Sequence, residues 1–230
     1  MATENEYVLG TDEAERVRLG LQHRLWSAQA FACWERAGIK PGLTGKATDL
    51  KFISTTVDGA FIIEPEPRRD ERGYFARIWC AAELARQGLV SAVAQVNTGV
   101  SPRRGTLRGL HFQAAPHEEV KIARCMRGAA FDVVVDLRRR SPTFRKWYGL
   151  ELTGDNARML YVPEGCAHGY LTLADDTELM YMTSHPYVPG AASGVRFDDP
   201  ALGIAWPLVP EIVSEPDRSW PLFAADASRD

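Results

Sequence analysis

Cysteine is scarce in this sequence of 230 residues, and the few cysteines show no regular spacing. Cys33, Cys80, Cys125 and Cys166 include no Cys-x-x-Cys pair, so their pattern predicts neither a zinc cage nor a disulfide framework. No apolar run approaches the length that spans a membrane, and the acidic N-terminus is the reverse of a signal peptide. We therefore expect a cytoplasmic protein that does not enter a membrane.

An excess of charge is also lacking. The formal net charge is -3, with 25% charged and 45% hydrophobic residues, which is ordinary for a globular chain. Such a balance creates no field that would hold a nucleic-acid backbone, although a local basic patch could still bind a diphosphate. We expect one main domain and no nucleic-acid partner.

The first part of the chain differs from the rest. Residues 11–39 read as a helix, because apolar residues such as Val17, Leu21 and Leu25 recur at helical spacing. We predict a helical extension over residues 1–50, which packs on the main domain or on another subunit, and a separate domain over residues 51–230. A disordered or accidental extension is the alternative.

A resemblance within this extension leads to no further function. The stretch that starts at Tyr7 resembles the segment before the first strand in some S-adenosylmethionine methyltransferases. The next residues, LTGKATDLKF, contain no strand that leads into a Gly-rich turn, so the backbone feature that would cradle that cofactor is missing.

From Lys51 onward the sequence consists of short β-branched and apolar runs, such as AFIIEP, FDVVVDL and ELMYMT, divided by Gly, Pro, Asp and Asn. This texture predicts an all-β domain, and the many short strands favour a barrel or double-sheet jelly roll. Only AAELARQGL, after Cys80, reads as a helix in this region.

Several strand-like segments carry polar side chains that a plain sheet does not need. TLRGLHFQ holds Arg108 and His111, which strict alternation would place on opposite faces unless Gly109 marks a β-bulge. Lys121 alternates with small residues, and Asp132 lies in an apolar run that reads as buried. A buried Lys or Asp must be paired or functional, so these strands are candidates for a site.

Taken in order, the motifs resemble the dTDP-4-dehydrorhamnose 3,5-epimerase family from about Lys51 to Leu222. The matching pieces are DERGYF, QVN, LRGLHFQ, VKIARC, FDVVVDLR, SPTF, VPEGCAHGY, MYMT, GVRFDDPALGIAWP and SEPD. The resemblance implies a cupin jelly roll, a homodimer, a nucleotide-sugar substrate inside the barrel, and neither a metal nor an organic cofactor.

The resemblance also implies roles for individual residues. It makes His111 the catalytic base, Asp217 its carboxylate partner, Lys121 the group near the sugar oxygen and Tyr181 the general acid. It implies a substrate-binding set of Arg72, Arg77, Gln95, Asn97, Arg108, Gln113, His168 and Tyr187.

The chemistry of a 4-keto sugar suits these residue types. Hydrogens at C3 and C5 are acidic because their removal gives an enolate, and a histidine near neutral pH can take such a proton. A lysine can stabilise the enolate oxygen, while a tyrosine, protonated at neutral pH, can return a proton to the opposite face. We therefore predict an epimerase that inverts C5, C3 or both.

Two positions depart from the family pattern. Arg77 stands where many members that use dTDP sugars carry Glu, and an arginine only donates hydrogen bonds where a carboxylate only accepts them. The position is associated with the nucleotide base, so a different nucleotide is an alternative. Pro186 replaces a common aromatic residue, although Tyr187 remains available for stacking.

Other functions stay open at this point. A single-centre epimerase would retain the same residues, and a catalytically silent sugar-nucleotide binding module is the alternative from another class. A metal site is not predicted, because Gln113 replaces the second histidine of a cupin His-x-His pair. His117 and His168 could approach His111, but no acidic ligand has the expected spacing.

Overall fold

The computed structural model describes residues 49–223, and within them most of the regular structure is strand. The first sheet has the order β1 (Leu50–Ser54), β2 (Phe61–Pro65), β10 (Met159–Val162), β7 (Lys121–Arg127), β12 (Thr177–Thr183) and β5 (Gln95–Ser101). The second has the order β13 (Ala192–Gly194), β6 (Thr106–Gln113), β11 (Cys166–Thr172), β8 (Ala129–Asp136) and β9 (Trp147–Thr153).

Three further strands lie outside these two strand orders. β14 (Ile212–Val213) pairs in parallel with β6, whereas the other strand pairs are antiparallel. β3 (Arg68–Asp70) and β4 (Gly73–Phe75) form a separate hairpin. The predicted all-β jelly roll is thereby confirmed. The predicted helical extension over residues 1–50 lies almost entirely outside the described residues, and the domain boundary stays a prediction.

Two short helices lie among the described residues. α1 (Ala81–Arg86) follows Cys80, where the sequence predicts a helix. α2 (Glu215–Ser219) begins after Ser214, whose hydroxyl accepts a hydrogen bond from the backbone N–H of Asp217. This N-cap satisfies one of the free donors of the first turn and fixes Asp217 against the barrel.

The inner faces of the two sheets pack on each other to form a common core. Ala123 and Leu179 from the first sheet lie in one buried cluster with Val134, Leu152 and Tyr170 from the second. Because residues two positions apart on a strand lie on the same face, the inner faces that bury this cluster also direct polar side chains into a cavity further along the barrel.

A β-bulge in β6 brings both of its functional side chains to one site, as the sequence predicts. Arg108 pairs with Tyr170, and His111 pairs with His168. Between these two pairs β6 contains one residue more than β11. Gly109 occupies the irregular position with φ of 128°, and a Cβ there would lie 2.5 Å from Cα of Gly169. Only glycine fits this position without displacing the neighbouring backbone.

Candidate active site

Two adjoining cavities of about 630 Å³ and 500 Å³ open inside the barrel. Both are lined by His111, Lys121, Tyr181 and Trp220, so these four side chains mark the place where the cavities meet. A concave site of this size with convergent polar groups suits a small organic ligand. We take this junction as the candidate active site.

His111 and Asp217 form a dyad at the junction. Nε2 of His111 lies 2.5 Å from Oδ1 of Asp217, and the imidazole is half-exposed whereas the carboxylate is buried. A carboxylate that holds one ring nitrogen fixes the tautomer and leaves the other nitrogen, Nδ1, to exchange a proton with a ligand. The pairing that the sequence predicts is therefore present.

The environment of Asp217 keeps it ionised. Burial alone would raise its pKa, but the hydrogen bond and charge of His111 oppose this, together with hydrogen bonds from the backbone N–H of Gly109 and from the side chain of Ser214. The net result is a pKa below the ordinary value for an aspartate. A carboxylate of this kind can stabilise an imidazolium that forms beside it.

Lys121 and Tyr181 face the dyad from the opposite sheet. Nζ of Lys121 donates a hydrogen bond of 3.2 Å to the backbone oxygen of His111. Burial and the negative charge of Glu119 raise the pKa of Tyr181, and Arg108 opposes the rise only in part. The phenol is therefore protonated at neutral pH and can act as a proton donor.

His168 and Asp132 form a second histidine–carboxylate pair. Nε2 of His168 lies 2.9 Å from Oδ1 of Asp132, and both side chains are buried. His168 also pairs with His111 across β11 and β6, and it lines the larger cavity. Asp132 is thus paired, as its buried position requires.

The remaining predicted binding residues divide into two groups. Those that line the cavities are Gln95, Asn97, Arg108, Gln113, His168 and Tyr187. Within this group Arg108 is exposed to the larger cavity, where a guanidinium could hold a phosphate. Gln113 uses its amide on protein groups, since Nε2 donates to the backbone oxygens of His117 and Pro186 and Oε1 accepts from the N–H of Val188.

Arg72 and Arg77 lie away from these two cavities. Arg72 is 84% exposed in the β3–β4 hairpin, where it pairs with Asp70. Nη1 of Arg77 lies 2.5 Å from Oε1 of Glu83, a buried carboxylate that also accepts from the backbone N–H of Leu50. Neither arginine lines the two cavities at the junction, so their contact with a nucleotide stays a prediction.

Two residues beside the junction, Glu119 and Trp220, are not predicted from the sequence. Glu119 lies two positions before Lys121, and this period-two spacing is a signal that could have identified it. Trp220 packs edge-on against the ring of His111 with centroids 6.3 Å apart, and its indole would collide with any Cβ at residue 194. No local pattern predicts that contact, because the tryptophan follows α2 and reaches β6 only in the folded chain.

Two kinds of feature are absent from the described residues. Between residues 49 and 223, no cluster of three or more His, Cys, Asp or Glu side chains is arranged to hold a metal ion. Within the same range, none of the helices has the length and apolar character needed to cross a membrane. The predicted lack of a metal and the cytoplasmic location stay predictions.

The jelly roll and the proton-transfer groups inside it define an isomerase of the cupin-type epimerase class. Residues 54–225 match the family model described as dTDP-4-dehydrorhamnose 3,5-epimerase. The chain therefore belongs to the dTDP-4-dehydrorhamnose 3,5-epimerase family, as its motifs predict.

Individual relatives agree with this assignment. A dTDP-4-dehydrorhamnose 3,5-epimerase from Methanothermobacter thermautotrophicus is 45% identical over 75% of this chain and 94% of its own length. The crystal structure of a dTDP-4-dehydrorhamnose 3,5-epimerase from Bacillus anthracis with TDP and PPi bound is 41% identical, with a TM-score of 0.73 over 76% of this chain and 99% of that one.

A similar solved structure comes from an enzyme with a narrower reaction. A 3'-monoepimerase from Streptomyces bikiniensis in complex with dTDP-quinovose is 35% identical, with a TM-score of 0.69 over 74% of this chain and 86% of that one. Family membership alone therefore does not fix the number of centres that an enzyme inverts.

Proposed function

We propose that this protein inverts C5 and C3 of a dTDP-linked 4-keto-6-deoxy hexose through an enolate. The family assignment supports this reaction, and one geometric observation carries it. His111 projects from the second sheet, whereas Lys121 and Tyr181 project from the first, and all three reach the same cavity junction. A base and an acid on opposite walls can serve opposite faces of a sugar ring between them.

The first proposed step is proton abstraction by His111. Its free ring nitrogen takes the proton from the carbon next to the C4 ketone, and the electron pair of the C–H bond moves into the carbonyl to give an enolate. Asp217 stabilises the imidazolium, and the Lys121 ammonium stabilises the enolate oxygen inside the barrel. A base held in this way contributes about 10²- to 10⁴-fold to such a step.

The second proposed step is reprotonation from the other side. The phenol of Tyr181 gives its proton to the same carbon as the C4 carbonyl re-forms, which inverts the centre. Tyr181 then recovers a proton, and His111 loses one, so the enzyme returns to its starting state. The reaction is redox-neutral, and every step is assigned to side chains of this chain.

Substrate binding is proposed to depend on the cavity beside the junction. Arg108 lines the larger cavity, where its guanidinium is proposed to hold the diphosphate, and similar proteins have TDP or a dTDP-sugar bound. Gln95, Asn97 and Tyr187 offer polar and stacking groups in the smaller cavity. Arg77 stands at the position associated with the nucleotide base, and it forms an ion pair with Glu83. The preference of the enzyme for thymine should therefore be tested directly against other nucleotides.

We further propose that the enzyme is a homodimer. Among the described strands, β5 is an edge strand whose outward Val96 and Val100 are exposed, and the β3–β4 hairpin exposes Phe75 at 71%. Unpaired edges and exposed apolar side chains are typical of a surface that another chain covers. A second copy would also explain how the hairpin residue Arg72 could reach a nucleotide.

Solvent deuterium exchange tests the proposed reaction. In deuterium oxide, the wild-type protein should place deuterium at C5 and C3 of dTDP-4-keto-6-deoxyglucose and change the configuration at both, as proton NMR can follow. Exchange confined to C3 would instead establish the single-centre alternative, the kind of reaction that the similar 3'-monoepimerase from Streptomyces bikiniensis is named for. Tight binding without any exchange would identify a non-catalytic binding module and contradict the proposal.

A further inference from the structure

Glu119 is a buried carboxylate at the active-site junction that the proposed reaction does not yet use. It lies just before β7, and its side chain is 8% exposed. It lines the smaller cavity together with Lys121, Tyr181 and Gln113. A carboxylate is almost never buried unless it is paired, so its partners indicate its role.

Both oxygens of Glu119 have partners. Oε1 lies 3.0 Å from Nζ of Lys121, and Oε2 lies 3.0 Å from Nε2 of Gln113, whose two N–H groups are shared among Glu119 and the backbone oxygens of His117 and Pro186. Gln113 is itself buried and is fixed by the backbone of residues 117, 186 and 188. Glu119 is therefore held in one orientation by a rigid polar frame.

This orientation determines where the ammonium of Lys121 lies. A lysine ammonium has three N–H donors. One of them faces Glu119 and another faces the backbone oxygen of His111, which leaves one donor for a ligand in the cavity. The side chain of Lys121 is 12% exposed, and its charge at this depth requires a compensating partner.

Glu119 also acts on the proton donor. Burial raises the pKa of Tyr181 most strongly, and the negative charge of Glu119 raises it further. Both effects keep the phenol protonated. Glu119 thus affects Lys121, the proposed enolate stabiliser, through direct contact. It affects Tyr181, the proposed acid, through its negative charge.

We infer that Glu119 is a positioning residue for epimerisation, which holds the Lys121 ammonium toward the substrate. The inference rests on the proposed function for its catalytic consequence. The contact between Glu119 and Lys121 belongs to the free enzyme, and the charge of Glu119 near Tyr181 gives a second readout that needs no substrate.

Steady-state kinetics of Glu119→Gln test the catalytic consequence. The amide keeps the size of the side chain and removes its charge, so Lys121 loses its ion pair. We expect kcat to fall roughly 5- to 100-fold, the size expected when a buried charged group loses a partner, with a smaller change in KM. Glu118→Gln is the matched control, because Glu118 lines a different cleft, and it should behave as wild type.

Titration of the free enzyme tests the effect on Tyr181 without any substrate. The ultraviolet absorbance of tyrosinate, with Tyr181→Phe as the background, should show Tyr181 ionising at lower pH in Glu119→Gln than in wild type or Glu118→Gln. A purely structural role for Glu119 would not move this titration. The charged and titratable groups that also face this region are Arg108, His111, Lys121, His168, Tyr170, Tyr187 and Asp217.

The outcomes separate the two proposals. Wild-type kcat and an unchanged Tyr181 titration in a folded Glu119→Gln would overturn the role of Glu119, whereas an inactive wild-type protein with the shifted titration would contradict only the proposed function. Glu119→Asp keeps the negative charge, and it provides the test if Glu119→Gln does not fold. It should retain the high tyrosine titration and lose kcat, because the shorter side chain no longer holds Lys121 in place.

Discussion

Nε2 of His111 and Oδ1 of Asp217 lie 2.5 Å apart although the two residues are 106 positions apart in the chain. β6 carries the histidine, and the capped turn of α2 carries the aspartate. β14 runs in parallel beside β6 immediately before α2, so the sheet itself delivers the aspartate to the histidine. The dyad is therefore a consequence of the fold rather than of a flexible loop.

Asp217→Asn should disable the base with little change in shape. The amide cannot stabilise an imidazolium, so we expect kcat/KM to fall on the order of 10²- to 10⁴-fold, the range for a positioned general base. Asp198→Asn, in an exposed pair with Arg196, is the matched control and should stay active. Equal loss of activity in both variants, measured by NMR of the keto sugar, would argue against the dyad.

Asp136 should stabilise the fold in a way that depends on pH. Burial opposes its ionisation, but hydrogen bonds from Arg138, Ser141 and Thr143 outweigh this and bring its pKa to about 2, below the ordinary 3.8. Its ionised form therefore stabilises the folded state fully above about pH 4, and this contribution is lost as the pH falls toward about 2.

The variant Asp136→Asn tests this contribution, with the free energy of unfolding measured by chemical denaturation at several pH values. We expect it to lower the free energy of unfolding at neutral pH by roughly 1–3 kcal/mol, since it weakens hydrogen bonds to a buried charge. The deficit should shrink between about pH 4 and pH 2, where wild type itself loses the contribution. Asp155→Asn, an exposed control, should show no deficit; a deficit in Asp136→Asn that is constant with pH would refute the assignment.

Mixed dimers can test whether Arg72 acts on the cavity of a second copy. Arg72→Ala and His111→Ala should each be impaired alone, and coexpression should restore activity, because one site of each mixed dimer would combine an intact His111 with an intact Arg72. Arg69→Ala, in β3 of the same hairpin, controls for damage to the hairpin. A monomer by sedimentation, or no recovery in verified mixed dimers, would contradict the proposed dimer.

Much of the barrel site could be predicted from the sequence because period-two patterns report which side of a strand a residue occupies. The bulge at Gly109 is an example, since Arg108 and His111 can line one site only if strand alternation is interrupted between them. Asp132 is another, because a charge in an apolar run needs a partner, and that partner is His168. In both cases local sequence carries the relevant constraint.

The parts that could not be predicted depend on long-range packing or on another chain. Trp220 reaches His111 only after β14 and α2 have folded against β6. The sequence predicts a ligand contact for Arg77, yet the structure pairs it with Glu83, in the helix predicted after Cys80. The buried Glu83 also accepts a hydrogen bond from Leu50 in β1, a long-range contact that no local pattern shows.

The central claim, a base and an acid acting from opposite walls, is tested most directly by comparing His111→Ala with Tyr181→Phe in deuterium oxide. Proton NMR follows exchange as loss of the C5 and C3 signals, and it follows configuration through the coupling constants of the same sample. We predict that His111→Ala loses both exchange and inversion. Tyr181→Phe should still exchange, with retained configuration, because His111 can return a proton only to the face from which it took one. Inversion by Tyr181→Phe at the wild-type rate would contradict the claim.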